Sequence, residues 1–372
     1  MRKRMGTNAG LFALSAAVVA AGIASAATFG SPGMSFSRSD FASSTPSRPA
    51  PVLDKVEYDK RLLALSHVDI SSPWYAAFLH GTTTPLDAMG NATTTKTPRP
   101  LWPVRRVYPN AGALLPFNRI VAYYGNFYSK GMGVLGQYPE DVMLAKLAST
   151  TAAWEKADPN TPVIPAIHYI VETAQASPTK SGLYLARMPD DQIDKALAIA
   201  AKIHGAVFID FQVGLSTLQK ELPMYVKYLA MPNVHLGIDP EFAMHGGAKP
   251  GTVIGSFDAA DINYAINFLA GLVKGNHIPP KILVIHRFTE EMVTHYKQIA
   301  PLPEVQVVID MDGWGFPAKK VNTYNSVVAA EPVQFTGFKL FYKNDLQEPV
   351  KALMTPREVL NLTPSPVYIQ YQ

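Results

Sequence analysis

The sequence predicts an α/β protein built as a (β/α)8 TIM barrel with an irregular N-terminal arm. After Pro116, short apolar runs alternate with longer amphipathic segments, which is typical of repeated βα units. The eight runs lie within about 255 residues, close to the usual span of such a barrel. A doubly wound open sheet is the competing architecture. It requires a glycine-rich phosphate turn, and the stretch YGNFYSKGMG after the first run does not match G-x-G-x-x-G.

The chain is predicted to divide into four segments. Residues 1–27 combine a basic start (MRKRM), an apolar stretch and a small-residue exit (ASAA), the pattern of an export signal. The alternative is an uncleaved signal anchor, because the apolar stretch is only slightly short of a membrane span. Residues 28–52 are a Ser/Pro-rich linker, residues 53–117 an N-terminal arm packing on the barrel, and residues 118–372 the barrel. We therefore expect a secreted or periplasmic protein, with any membrane attachment through the N-terminus.

Each element follows from its local pattern. A helix is predicted over residues 53–68, with Val56, Leu62, Leu63 and Leu65 as its apolar positions. The strands are predicted at residues 119–124, 163–171, 206–210, 234–239, 281–286, 305–310, 335–342 and 366–371. Helices are predicted at residues 189–202, 215–229, 258–274 and 289–299. Since no helix follows the eighth strand, we expect the helix of the arm to fill that place on the outside of the barrel.

Composition excludes several classes of function. The chain has no cysteine, which removes disulfides, thiolate metal sites and cysteine nucleophiles. The net charge is +4, part of it in MRKRM, and no basic stripe with interleaved aromatics is present, so we expect no nucleic-acid partner. The serine-hydrolase pattern G-x-S-x-G and the zinc-protease pattern H-E-x-x-H are both absent. The first interpretation therefore includes neither a cofactor nor a metal.

Acidic residues follow the predicted strands. Three strands end in Ile-Asp, at Asp210, Asp239 and Asp310, and two of them add a second acid two residues later, at Glu241 and Asp312. Chemistry in such barrels occurs at the C-terminal ends of the strands, where these acids meet. The sequence therefore predicts an acid cluster at one mouth of the barrel.

Carboxyl groups held close together raise one another's pKa, so that one stays protonated while its neighbour ionises. Glycoside hydrolysis needs that division between a general acid and a base or nucleophile. Glu241 is the candidate acid because its longer side chain has more reach. Asp239 would tune it, and Asp210 or Asp310 would supply the second carboxylate.

Other side chains near the strand ends are candidates for substrate binding. They are Asp312, Trp314, Tyr123, Tyr124, Tyr342, His168 and His286. The aromatic rings would stack on sugar rings, although ordinary packing is an equal alternative for each of them. The acids, in turn, have Arg287 and Lys339 as alternative structural partners.

These motifs resemble the (β/α)8 glycoside hydrolase-like proteins. The resemblance rests on FID (208–210), GIDPE (237–241) and VIDMD (308–312). The Asp-x-Glu on the fourth strand resembles the end of the acidic D-x-x-D-x-D-x-E run of chitinase-type barrels, although the preceding aspartates are absent. The resemblance implies an exported glycosidase that acts on a poly- or oligosaccharide, with a carbohydrate or cell-envelope polymer as its partner.

Two alternatives remain open at this stage. One is a metal-dependent hydrolase, because His168, Asp210, Asp239, His286 and Asp310 offer the oxygen and nitrogen ligands of such a site. The other is a barrel that binds carbohydrate or envelope polymer without catalysis, since a fold does not fix a function.

Overall fold

The computed structural model describes residues 52–347 and 349–372. The predicted export signal and all but the last residue of the predicted linker lie outside the described residues. Within the described ranges, no helix has the length and apolar character needed to cross a bilayer.

Eight parallel strands close into a barrel, which confirms the predicted fold class. They are β1 Arg119–Gly125, β2 Val163–Ala174, β3 Ala206–Phe211, β4 Val234–Ile238, β5 Lys281–Arg287, β6 Val305–Met311, β7 Phe335–Leu340 and β8 Tyr368–Tyr371. Each strand pairs with the next, and β1 pairs with both β2 and β8, so the sheet has no open edge along the barrel. A short strand, Leu185–Arg187, adds antiparallel to the end of β2.

In the described part of the chain, ten α-helices accompany the strands, and those that follow β1 lie on the outer face of the barrel. The ten are α1 Lys55–Leu65, α2 Pro73–Leu79, α3 Val134–Gln137, α4 Glu140–Ala157, α5 Asp190–Lys202, α6 Leu218–Glu221, α7 Val226–Leu229, α8 Ala259–Asn276, α9 Pro317–Thr323 and α10 Pro356–Leu360. The helix predicted over residues 215–229 is divided into α6 and α7 by a 3-10 turn, Leu222–Tyr225. Pro223 explains the break, because proline has no N–H for a helical hydrogen bond.

The helix predicted over residues 289–299 is wrong. That segment contains two 3-10 turns, Glu290–Met292 and Tyr296–Gln298, on either side of a two-residue strand. The guanidinium of Arg287 donates to the main-chain carbonyls of Thr289, Glu290 and Val293. These carbonyls are thereby held by a buried side chain instead of by helical N–H groups.

Helix α1 closes the N-terminal end of the barrel, which corrects its expected position on the outside. Tyr58 and Leu62 pack with interior side chains of the strands, including Ile120 and Phe208. The last residue of α1 contacts the segment before β8, where the N–H of Ser365 donates to the carbonyl of Leu65. The predicted apolar position Val56 is instead exposed. An apolar helix face can pack on either surface of a barrel, so its sequence does not say which.

The interior of the barrel changes character along its axis. Its N-terminal half is apolar, with Ala122, Phe208, Val284 and Val308 among its side chains. Its C-terminal half carries polar and charged residues at adjacent register positions, which include Tyr124 beside His168, His286 beside Asp310, and Lys339 beside Gln370. The candidate functional site is therefore built from the strands themselves.

Candidate active site

Nine side chains form a charged cluster at the C-terminal end of the barrel. This mouth cluster consists of Tyr124, His168, Asp210, Asp239, Glu241, His286, Asp310, Asp312 and Lys339. Six of its members lie on strands β1, β2, β3, β5, β6 and β7, one on each. The other three follow a strand: Asp239 and Glu241 come after β4, and Asp312 comes after β6. The structure thus brings together the four predicted catalytic carboxyl groups and four of the seven predicted binding residues.

Asp210 lies at the centre of the mouth cluster and is fully buried. The hydroxyl of Tyr124 donates to its Oδ2 at 2.9 Å, and the Nε2 atoms of His168 and His286 lie 3.2 and 3.3 Å from its Oδ1. Burial alone would raise the pKa of Asp210, but the charge of His286 and the close approach of both imidazole rings outweigh it. The pKa is therefore lowered, and Asp210 is ionised at neutral pH.

The two histidines differ in charge. Burial lowers the pKa of His168 to about 4, so its ring is neutral at pH 7. For His286, burial acts in the same direction, but the negative charge of Asp210 and the proximity of the carboxyl groups of Asp310 and Asp312 raise its pKa well above the ordinary value. Its Nδ1 lies 3.4 Å from Asp310 Oδ2 and 3.2 Å from Asp312 Oδ2. His286 is thus an imidazolium between acids on two sides.

Lys339 and Asp312 form an ion pair near the surface of the cluster. The ammonium lies 3.0 Å from Asp312 Oδ1 and 3.2 Å from Oδ2, and 4.0 Å from the centre of the Tyr124 ring. Burial opposes ionisation of Asp312, but Lys339 and His286 together lower its pKa. Asp310 lies deeper, and burial raises its pKa.

Asp239 and Glu241 are positioned by a turn instead of by a continuing strand. Strand β4 ends at Ile238, and Asp239 Oδ1 accepts the N–H of Glu241 at 3.1 Å at the start of the 3-10 turn Pro240–Phe242. Burial raises the pKa of Asp239 to about 7. Burial, and next the charge of Asp239, raise the pKa of the half-buried Glu241 to about 8. Glu241 is therefore held largely protonated at pH 7, while Asp239 is about half ionised.

Two glycines make room for the buried charges. A Cβ atom at Gly237 would lie 2.3 Å from Asp210 Oδ1 and 2.4 Å from His168 Nε2. A Cβ atom at Gly337 would lie 2.5 Å from Asp310 Oδ1. Both positions therefore exclude any larger residue, a requirement that the sequence analysis did not identify.

The structure places the other three predicted binding residues outside the mouth cluster. Tyr123 points outward, because side chains alternate along β1, and its hydroxyl lies 2.9 Å from the Thr150 hydroxyl of α4. Tyr342 lies beside it, with the two hydroxyls 3.1 Å apart. Trp314, in the loop after β6, is half-buried, and the ammonium of Lys319 lies 4.7 Å from its ring centre. One face of this ring is thus already covered.

Several site residues were not predicted as such. Lys339 was considered only as an alternative partner for the acids, and Gln212, Tyr368 and Gln370 were not considered. Gln212 donates to Asp239 at 3.3 Å, while Gln370 Nε2 lies 3.1 Å from His168 Nδ1. The period-two spacing of Gly337 and Lys339 on one strand is the signal that identifies the lysine as inward-facing.

Arg287, the other alternative partner for the acids, pairs with Glu331 at 2.5 Å. This ion pair lies outside the mouth cluster. The acids of the cluster are therefore not neutralised by that arginine.

Comparison with known proteins identifies no family for this chain. No protein-family model matches the chain, and no curated protein matches it. Among solved structures, a Bacteroides ovatus GH5 xyloglucanase in complex with a XXXG heptasaccharide is similar at 9% identity and a TM-score of 0.32, over 60% of this chain and 61% of that one. Plasmodium falciparum HPPK-DHPS with pteroate is similar at 10% identity and a TM-score of 0.34, over 72% of this chain and 47% of that one. The chain therefore spans less than two thirds of either protein, and these likenesses carry no argument about substrate or reaction.

Proposed function

We propose that this protein is a hydrolase that cleaves glycosidic bonds of a poly- or oligosaccharide by acid/base catalysis at the barrel mouth. One observation carries the proposal: two carboxyl groups of the mouth cluster are held in opposite protonation states. Glu241 is half-buried and has a pKa of about 8, whereas Asp312 is kept ionised by the ammonium of Lys339 at 3.0 Å. Glycosidases require such a pair.

In this proposal Glu241 gives its proton to the oxygen of the leaving sugar. Asp312, as a carboxylate, either activates a water molecule or attacks the sugar carbon itself. Asp239 keeps Glu241 protonated through its charge and also positions it, since it accepts the N–H of Glu241.

The second carboxylate differs from the one that the sequence analysis favoured. Asp210 and Asp310 are both fully buried, and Asp210 is surrounded by Tyr124, His168 and His286. The side chain of Asp312 is 9% exposed, so a substrate at the mouth reaches it first. An exported location remains part of the proposal, on the strength of the N-terminal sequence pattern alone.

The test is release of reducing ends from a panel of plant, fungal and bacterial polysaccharides and their oligosaccharides. Glu241→Gln keeps the shape but removes the acid, so turnover should fall about 10²–10⁴-fold. An aryl glycoside with a good leaving group should recover much of that loss in Glu241→Gln and none of it in Asp312→Asn, because such a leaving group needs no proton. Glu291→Gln, at an exposed glutamate, is the matched control.

Two results would contradict the proposal. One is no release from any member of the panel by folded wild-type protein. The other is full turnover in Glu241→Gln on a substrate that the wild type cleaves.

A further inference from the structure

We propose that His168, Asp210 and His286 bind a divalent transition-metal ion, such as zinc, inside the barrel. No step of the proposed hydrolysis uses these three groups, so this inference goes beyond that function and can fail separately from it. It also replaces the initial expectation that the protein holds no metal. Imidazole and carboxylate together are ligands that zinc and its first-row neighbours prefer.

The first argument is the geometry of the donor atoms. Asp210 Oδ1 lies 3.2 Å from His168 Nε2 and 3.3 Å from His286 Nε2, and all three atoms lie within 4.8 Å of one another. Two ligand atoms that are each about 2.1 Å from one metal ion are about 3.0–3.4 Å apart when the angle at the ion is about 90–110°. The two separations measured from Asp210 Oδ1 therefore match those of ligands around a common ion.

The second argument is that these atoms lack other partners. Among the described residues, none forms a hydrogen bond of acceptable geometry to Asp210 Oδ1 or to the Nε2 atoms of His168 and His286. All three side chains are fully buried. Buried polar atoms are nearly always paired, so three unpaired atoms that converge on one point indicate a missing ligand.

The third argument is the second shell of contacts. Metal-bound histidines usually donate their other ring nitrogen to a carboxylate or a similar acceptor, and metal-bound carboxylates are themselves hydrogen-bonded. Here His286 Nδ1 faces Asp310 and Asp312, and His168 Nδ1 lies 2.5 Å from the Tyr368 hydroxyl. The Tyr124 hydroxyl holds the second oxygen of Asp210. The outer contacts of His286 and Asp210 thus match such a site, and the Tyr368 hydroxyl and the Gln370 amide hold His168 Nδ1.

Gly237 also constrains the donor atoms. A Cβ atom there would lie 2.3 Å from Asp210 Oδ1 and 2.4 Å from His168 Nε2, so a larger residue would push these two donor atoms out of place.

The test uses full-length protein stripped with a chelator. Calorimetric titration with ZnSO4 should show one ion per chain, and titration with CoCl2 should produce visible d–d absorption bands from nitrogen and oxygen coordination. Asp210→Asn should weaken zinc binding at least about 100-fold, and Tyr124→Phe, which loses only an outer contact, about 10–100-fold. The thermal midpoint of the wild type should rise on addition of zinc, while that of Asp210→Asn should not.

His235→Asn is the matched control. His235 is also buried in the barrel, but its Nδ1 accepts the N–H of Ile282 at 3.2 Å, an interaction that an asparagine oxygen can replace. This variant should bind zinc like the wild type. No stoichiometric zinc binding by the wild type, or equal binding by the wild type and Asp210→Asn, would overturn the proposal. If Asp210→Asn does not fold, Tyr124→Phe decides, because unchanged affinity in that variant would also overturn it.

Discussion

Replacing Lys339 by methionine is expected to destabilise the protein strongly. The ammonium lies 3.0 Å from Asp312, and the two side chains are only 3% and 9% exposed. Methionine keeps an unbranched side chain of nearly the same length but leaves Asp312 without its ammonium partner. At 3.0 Å and an effective dielectric constant of about 20, the lost attraction is about 5 kcal/mol. His286 remains next to Asp312, so we expect Lys339→Met to lower the free energy of unfolding by about 3–5 kcal/mol at pH 7.

The assay is urea unfolding at pH 7 of wild type, Lys339→Met, Asp312→Asn and the double variant. Because Asp312→Asn removes the charge that Lys339→Met leaves unpaired, the double variant should lose at least about 1.5 kcal/mol less than the sum of the single losses. If the loss in the double variant equals the sum of the two single losses within about 0.5 kcal/mol, the two side chains do not interact as described.

Lys320 provides the matched control for this cycle. It is also a buried lysine beside an acid, with its ammonium 2.9 Å from Asp345, but it donates to the carbonyls of Gly313 and Lys339 as well, each at 2.8 Å. Asp345 in turn accepts the N–H groups of Gly315 and Phe341. Both partners thus keep main-chain contacts, so Asp345→Asn should not relieve the loss caused by Lys320→Met.

Three further predictions test the acids, the glycine and the arm. Since burial raises the pKa of Glu241 to about 8, the folded state keeps a proton that the unfolded chain releases above about pH 4.5, and the free energy of unfolding should fall between pH 5 and 8 by at most about 4 kcal/mol. Urea titrations at several pH values should show that the free energy of unfolding falls less steeply with pH in Glu241→Gln than in the wild type. An equal slope would mean that another group causes the decline. Gly237→Ala should lower the free energy of unfolding by about 1–3 kcal/mol through overpacking, whereas Gly246→Ala, where a Cβ atom meets nothing within 4 Å, should leave it unchanged. Leu62→Ala in α1 should cost about 2–5 kcal/mol in the same assay, and Val56→Ala, at a position 63% exposed, should cost less than about 0.5 kcal/mol; equal effects would mean that α1 does not seal the barrel.

The strands could be predicted well because each one is a short apolar run bounded by polar or turn-forming residues. Their ends agree with the structure to within a few residues, as for β5, which was predicted at 281–286 and lies at Lys281–Arg287. The helix predicted over residues 289–299 is wrong for a reason that hydrophobic periodicity does not show. In this segment the guanidinium of Arg287 donates to main-chain carbonyls that would accept helical hydrogen bonds in a helix. No local sequence pattern indicates that an arginine will bind there.

The acids of the candidate site could be predicted from the sequence, but the side chains that contact these acids could not. Asp210, Asp239 and Asp310 each end an apolar run, so the rule that barrel chemistry lies at strand ends identifies them directly. Tyr123 and Tyr124 are adjacent and both aromatic, so their sequence does not say which of them faces inward. The inward direction is fixed by register with β2 and β8, which is a property of the closed sheet.

The acids of the mouth cluster outnumber its cations, and this imbalance connects the two proposals. Five carboxyl groups face Lys339 and His286, and the raised pKa values of Asp239, Glu241 and Asp310 show that protons remove part of the surplus negative charge. A divalent ion at Asp210 would displace the proton of His286 and would still add one positive charge, net, in the same place. With zinc bound, Glu241 and Asp239 should therefore release their protons at lower pH, and the decline in the free energy of unfolding between pH 5 and 8 should become shallower. Urea titrations at several pH values, with saturating zinc and with chelator, measure this difference. Equal slopes in a protein that binds one zinc ion would place that ion outside the field of the mouth acids, and so away from His168, Asp210 and His286.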